Sequence, residues 1–290
     1  MGNFKIKGML NQHLKIERDS NNLTNNNNAA IYSQILAGNF ESYAYNYLLN
    51  LGFMRLSDVK SIGMYNEMNL AANISANKIY EEIKDEYTIK LPEKLVKVKK
   101  SVTNTLEERH SARDYSGITM KLDEFSTIVK YSFGLAKRTM NYNGITATTR
   151  YYASGGGLYP IYPYFLINKV KGIKKGLYRY QPYTHSLYPI DGDMKIEQLL
   201  QYGNFDFDDY CFCVLYEYDF DRNYLKYGEL SLLTTLVEIG IMSHNFEIMC
   251  TALDYSACQI AGFDKQYAEK CIGLDGINSH ILFTNICGKE

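Results

Sequence analysis

Residues 149–160 read Thr-Arg-Tyr-Tyr-Ala-Ser-Gly-Gly-Gly-Leu-Tyr-Pro. Three consecutive glycines after Ser154 lay down backbone with no Cβ to hold a ligand away. Their N–H groups can form an anion-holding nest, lie against a flat ring, or simply turn the chain. A second cluster, Arg109-His110-Ser111-Ala112-Arg113, places a hydroxyl between two arginines. Guanidinium forks and a hydroxyl suit a phosphate on a sugar-like chain. The other reading is a solvated basic turn, with Glu107, Glu108 and Asp114 as surface ion partners of little worth. The third cluster is Lys226-Tyr227. A lysine whose pKa is lowered by burial can act as a base, and an adjacent phenol can relay its proton. Its plain alternative is a surface lysine ahead of a helix beside a packing tyrosine.

The elements that must position these residues follow from periodicity. Leu122, Phe125, Val129 and Phe133 recur at helical spacing, with Asp123 and Glu124 in the first turn and Gly134 near the end. Strands are expected at Tyr162–Asn168, Gly176–Tyr180 and Leu187–Ile190, the last two joined through residues 181–184. Asp209–Tyr218 reads as an apolar, aromatic strand, Glu229–Leu253 as a long, central, apolar helix, and His280–Cys287 as a closing strand. Upstream, 29–88 reads as helical, after an asparagine-rich loop at 21–28, and a lysine-rich connector runs from Leu91-Pro92 to Lys100. Strands and helices mix without strict alternation, so the fold class expected is α+β. A boundary near residue 98 divides an N-terminal helical extension, 1–98, from a main domain, 99–290.

The chain has 290 residues and a net charge of −1, which excludes a global field drawing in nucleic acid or anionic membrane. Its 27 tyrosines and absence of tryptophan suit half-buried strands and polar-tipped aromatic pockets. The six cysteines, Cys211, Cys213, Cys250, Cys258, Cys271 and Cys287, form no CxxC pair and read as buried reduced thiols. Cys211 and Cys213 would share one face of a strand. No signal peptide or membrane-length apolar run is apparent, so the expected location is cytoplasmic. The scattered histidines offer no metal-ligand spacing, and no nucleophile elbow appears, so metalloenzyme and hydrolase readings are poor.

Glu108-Arg109-His110-Ser111-Ala112-Arg113-Asp114-Tyr115 resembles the opening motif of the FMN-dependent nitroreductase superfamily. The Ala153–Pro160 loop narrows the likeness to the SagB-type azoline oxidases of thiazole/oxazole-modified, streptolysin S-like peptide pathways. Leu225–Gly228 resembles that family's lysine–tyrosine pair. Glu238–Asn245 resembles its Glu-x-Gly helix, and Ala261–Asp264 with Gly273–Gly276 its C-terminal flavin segment. The likeness spans roughly 100–289 and implies a mainly antiparallel central sheet flanked by helices. It implies that Arg109, His110, Ser111 and Arg113 hold the FMN phosphate and ribityl chain. It brings Ser154, Gly155 and Gly156 to the flavin from a partner subunit of a homodimer. Gln259, Ile260, Ala261 and Gly262 would run along the isoalloxazine ring, and Lys289 would reach the phosphate or be solvated. This chain departs from the family at Ala153, at Ala261 and at His244, which reads as a core histidine or a polar flavin neighbour.

The resemblance implies a reaction. Oxidising a thiazoline to a thiazole removes a proton from the former α-carbon and a hydride to flavin, with Lys226 and Tyr227 as the catalytic pair. Glu238 reads as a structural or partner contact. The implied partners are an azoline-containing precursor peptide, a YcaO cyclodehydratase and its leader-binding protein. Two alternatives stand beside the oxidase: an NAD(P)H-dependent reductase, and a mainly structural subunit of a cyclodehydratase complex.

Overall fold

A computed structural model describes residues 47, 48, 51, 81–142, 145–200 and 208–290. The chain divides into two units, Met1–Asp58 and Val59–Glu290. In the first, Tyr47, Leu48 and Leu51 are helical; the rest of the helix expected over 29–80 lies outside the described residues, as does the asparagine-rich loop. Residues 81–88, expected as helix, form turns instead. Asp85 accounts for this: its carboxylate accepts from the Tyr87 N–H at 3.0 Å, a local bond that competes with a helix.

The second unit opens with β1 (Ile89–Lys90), α1 (Val102–Glu108) and α2 (Leu122–Phe133). The hairpin β2 (Leu135–Tyr142) and β3 (Ile145–Arg150) stands as its own two-stranded sheet. Then follow β4 (Ile161–Ile167), β5 (Gly176–Gln181), β6 (Ser186–Ile190), α3 (Ile196–Leu199) and β7 (Phe212–Asp219). The chain closes with α4 (Phe220–Tyr227), α5 (Leu230–Ala252), β8 (Ser256–Ile260), α6 (Lys265–Ile272) and β9 (Ser279–Gly288). Seven strands form one sheet in the order β1-β6-β5-β4-β7-β9-β8, and the ladders β6-β5-β4-β7-β9-β8 are antiparallel throughout.

The sheet is covered on both faces, which is why β4 is buried along its whole length. Along β7, Phe212, Val214 and Tyr216 join one core cluster, while Cys213 and Leu215 join the other. The first cluster receives Phe125, Ile128, Val129 and Phe133 from α2 and Ile239, Met242, Phe246 and Cys250 from α5. Edge-to-face aromatic pairs bind these layers, with Phe212 ring centroids at 5.0 Å from Phe125 and 5.6 Å from Phe246. The second cluster receives Ile196 and Leu199 from α3 and Ala268 and Ile272 from α6. Cys211 and Cys213 therefore do not share a face: Cys211 precedes the strand and escapes its alternation, joining the first cluster. All six cysteines are unbridged. No helix among the described residues is long and apolar enough to cross a membrane.

Candidate functional site

Two of the three sequence clusters meet. The chain between β3 and β4 folds into a tight turn at Gly155–Gly157, with positive φ at Gly156 (61°) and Gly157 (69°). Its ends are tied, because the Arg150 N–H donates to the Tyr159 hydroxyl at 3.1 Å. Ser154 Oγ accepts from the Tyr159 N–H at 2.9 Å and donates to Glu238 on α5 at 2.5 Å. That contact gives Glu238 the structural role expected of it. A Cβ built on Gly156 would lie 2.6 Å from both Lys226 Nζ and the Tyr227 hydroxyl. The glycine is thus what lets the loop backbone close on the lysine–tyrosine pair.

Lys226 occupies the last turn of α4 and is 7% exposed. Its Nζ lies 5.3 Å from the centroid of the Tyr227 ring. Buried Asn223 staples this short helix in place. Its amide donates to Thr235 Oγ1 at 2.9 Å and to the Ser231 carbonyl at 3.2 Å, while its oxygen accepts from the Tyr218 hydroxyl at 2.8 Å. Arg222 adds an ion pair to Glu81 at 2.5 Å and another to Asp219 at 3.0 Å. Burial lowers the Lys226 pKa below that of an ordinary lysine and raises that of Tyr227. The pair therefore combines a more readily neutral amine with a firmly protonated phenol. Sequence reasoning passed over Asn223 and Arg222; the only signal was polar residues on a helix too short to fold alone.

The arginine cluster runs beside the edge strand β8, with Ser111 bridged in parallel to Ala257. Arg109 approaches the buried Glu247 of α5 at 3.8 Å, and the Gln259 amide donates to the same carboxylate oxygen at 2.9 Å. Ser111 and Arg113 reach the Cys258 thiol. His110 turns to its own chain: its ring nitrogens meet Glu290 at 2.7 Å and the Glu108 carbonyl at 2.9 Å. Ile260 ends β8 in the core, whereas Ala261 and Gly262 are exposed, with open space about Gly262. The C-terminal tail folds back beside them. The Lys289 carbonyl accepts from Ser116, and its ammonium stands 5.5 Å over the Tyr255 ring. Two guanidiniums, a hydroxyl and an unobstructed glycine backbone are a donor set that fits a phosphate and its attached chain. His244 is exposed on α5, so its reading as a core histidine fails.

The Gln259–Gly262 stretch and Arg109–Arg113 thus gather around β8, while Ser154–Gly156 and Lys226–Tyr227 gather elsewhere. Glu238, which touches Ser154, and Glu247, which touches Arg109, are nine residues apart on α5. At 1.5 Å per residue that is about 13 Å along the helix. One chain thus holds these two residue groups at different levels of one helix. Glu247 was also overlooked; its signal is a charged residue at helical spacing from core residues Ile239 and Ser243.

The nitroreductase family model matches residues 106–289, which contain both residue groups. A Methanocaldococcus jannaschii protein named as a nitroreductase is 25% identical over 181 residues, covering 62% of this chain and 86% of its own. Among solved structures, a Ralstonia eutropha protein named as a nitroreductase is similar at TM-score 0.56 and 20% identity, over 70% of this chain and 90% of that one. A chain of the E. coli microcin synthetase McbBCD complex, solved with truncated pro-MccB17 bound, is similar at TM-score 0.52 and 17% identity, over 74% of this chain and 80% of its own.

Proposed function

Because the chain belongs to the nitroreductase family, we propose that it is an FMN-dependent oxidase that converts azolines in a ribosomal peptide to azoles. The observation that carries this reading is the closure of Gly156 on Lys226 and Tyr227. Both polar atoms lie 2.6 Å from one point, so they are at most about 5 Å apart beside bare backbone. An oxidation that must remove a carbon-bound proton needs such a base, whereas reduction by a nicotinamide does not. The fold likeness to the microcin synthetase chain accords with this reading.

FMN, when bound, supplies the hydride acceptor. Arg109, His110, Ser111 and Arg113 would hold its phosphate and ribityl chain, the Gln259, Ile260, Ala261 and Gly262 stretch would serve the ring, and Lys289 would add a positive charge for the phosphate. Neutral Lys226 Nζ takes the proton from the former α-carbon of the azoline. The Tyr227 hydroxyl orients the substrate heteroatom or passes that proton onward. Ser154, Gly155 and Gly156 give close backbone approach.

The separation of the two residue groups supports a homodimer in which one protomer's β8 edge faces its partner's glycine loop. Leu233, Leu236 and Val237 on α5 are 39%, 48% and 55% exposed, an apolar stripe at helical spacing that a second copy would cover. The reading further assigns the protein to the cytoplasm, beside a YcaO cyclodehydratase and its leader-binding protein.

The test is anaerobic mixing of the flavin-loaded protein with a thiazoline peptide while the flavin spectrum is recorded. Bleaching by the peptide is expected. No bleaching by the peptide, alongside rapid bleaching by NADPH, refutes the oxidase and favours the reductase.

A further inference from the structure

Helix α4 carries Lys226 but has little of its own to hold it in place. It is eight residues long, and its N-cap residue, Asp219, gives no side-chain bond to the first turn. A helix that short does not persist by its own bonds. The Asp219 carboxylate is engaged elsewhere, accepting from Arg222 Nε at 3.0 Å. Arg222 lies four residues before Lys226, so the two share one helix face, about 6 Å apart along the axis.

The other edge of the Arg222 fork leaves the helix. Its Nη2 donates to Glu81 at 2.5 Å, and Glu81 also accepts from the Tyr162 hydroxyl of β4 at 3.1 Å. A fully exposed pair of this kind is worth little. Here the Arg222 and Glu81 side chains are mostly covered, at 24% and 32% exposure. The neighbours of Glu81 are themselves fixed to the end of β5 and the turn that follows it. The Glu82 carboxylate accepts from the N–H groups of Tyr183 and Thr184 at 2.6 and 2.7 Å. The Gln181 side chain accepts from the Ile83 N–H at 2.6 Å and donates to the Ile83 carbonyl at 2.9 Å. Residues 81–83 precede the span 106–289 that the family model matches.

We propose that Glu81 is a positioning residue for Lys226: residues 81–83 form a strut, anchored on the β5–β6 turn, that holds the first turn of α4 and so keeps the lysine amine buried against the glycine loop. The proposal rests on the reading of Lys226 as the base. Glu81 acts through Arg222 and not through its own charge. Burial alone lowers the Lys226 pKa, and loss of an anion would by itself lower it further. Release of α4 has the opposite sign, because an amine that reaches water regains the value of an ordinary lysine.

The experiment compares wild type, Glu81→Gln, Arg222→Gln and the double variant as full-length, flavin-loaded proteins, at a temperature where all are folded. The Lys226 pKa is read from its 13Cε NMR resonance, identified by its loss in Lys226→Arg. Thiazoline-peptide oxidation gives kcat and KM. Glu81→Gln is expected to raise the Lys226 pKa and to lower kcat about tenfold with KM unchanged, as for a displacement smaller than the 1 Å that costs on the order of 100-fold. The double variant is expected to match Arg222→Gln alone, because Glu81 then has nothing left to act through. Asp85→Asn removes the same charge from bonds to Tyr87 and Tyr188 instead, and is expected to change neither quantity. Should Glu81→Gln not fold, Glu81→Asp, one methylene shorter, is expected to move the pKa and kcat in the same directions. An unchanged or lowered Lys226 pKa in the Glu81 variant, effects that add in the double variant, or an equal shift in Asp85→Asn overturns the proposal. The pKa measurement needs no turnover, so its failure is distinguishable from failure of Lys226 as the base.

Discussion

Replacing Gly156 by alanine puts a Cβ 2.6 Å from both Lys226 Nζ and the Tyr227 hydroxyl. That distance is too short to hold, so the lysine, the tyrosine or the loop must move. The residue also sits at φ 61°, where an L side chain costs about 1–2 kcal/mol. Gly157 separates the two effects. Its φ of 69° carries the same strain, but its Cβ would meet only Met140 Cε at an ordinary 3.6 Å. Both alanine variants should therefore lose about 1–2 kcal/mol of stability, or roughly 2–4 °C of Tm per kcal/mol. Only Gly156→Ala should also displace the base. A 1 Å displacement of a reacting group can cost on the order of 100-fold in rate. The assay is thiazoline-peptide oxidation, normalised to bound flavin, with Tm measured beside it. Equal activity per flavin in the two variants would refute the view that Gly156 exists to admit Lys226 and Tyr227.

Three other outcomes follow from the same geometry. The wild-type rate should rise with pH through an apparent pKa below that of an ordinary lysine, because burial favours neutral Lys226; Lys226→Arg, which cannot deprotonate, should cut it on the order of 100-fold or more, and a retained rate excludes Lys226 as the base. Val237→Asp, on the exposed stripe of α5, should give a monomer that loses flavin on a sizing column; a monomer that keeps it removes the need for two chains. His185 bonds Ser126 Oγ at 2.8 Å and the Tyr180 hydroxyl at 2.9 Å, and burial, helped by the nearby Lys130 ammonium, pushes its pKa down to about 4. Its neutral ring stabilises the fold fully above about pH 6.5, and up to about 3 kcal/mol is lost as pH falls toward the folded value; Tm measured across that range should fall less steeply in His185→Phe, and identical slopes contradict the assignment.

What could be read from sequence followed signal strength. Phe212–Asp219 and Leu230–Ala252 are long and apolar, and both were legible nearly to their ends. Strand β8, Ser256-Ala-Cys-Gln-Ile, is too short and too mixed to announce itself, so Gln259 and Ile260 were read only as part of a flavin-contacting stretch. The β2–β3 hairpin was missed although Asn143-Gly144 stands between its strands, a strong turn signal; the polar residues around it carry little alternation to draw attention.

At the site, residue types were legible and electrostatics were not. Nothing near Lys226 in sequence indicates a lowered pKa. The burial comes partly from a glycine loop 70 residues upstream and from a helix that follows it. The motif order, 109–113, then 154–156, then 226–227, likewise gives no hint that its members divide between two levels of α5. That division follows from which helix residues they touch, Glu238 in one case and Glu247 in the other. It also changes what a mutation at the glycine loop should do. Within one chain Gly156 adjoins the lysine and tyrosine, so on the proposed reading its first duty is to the base. On the same reading, any service to a flavin held by Arg109 and Arg113 would cross to a second chain, which is why rate per flavin, rather than flavin content, is the decisive readout for Gly156.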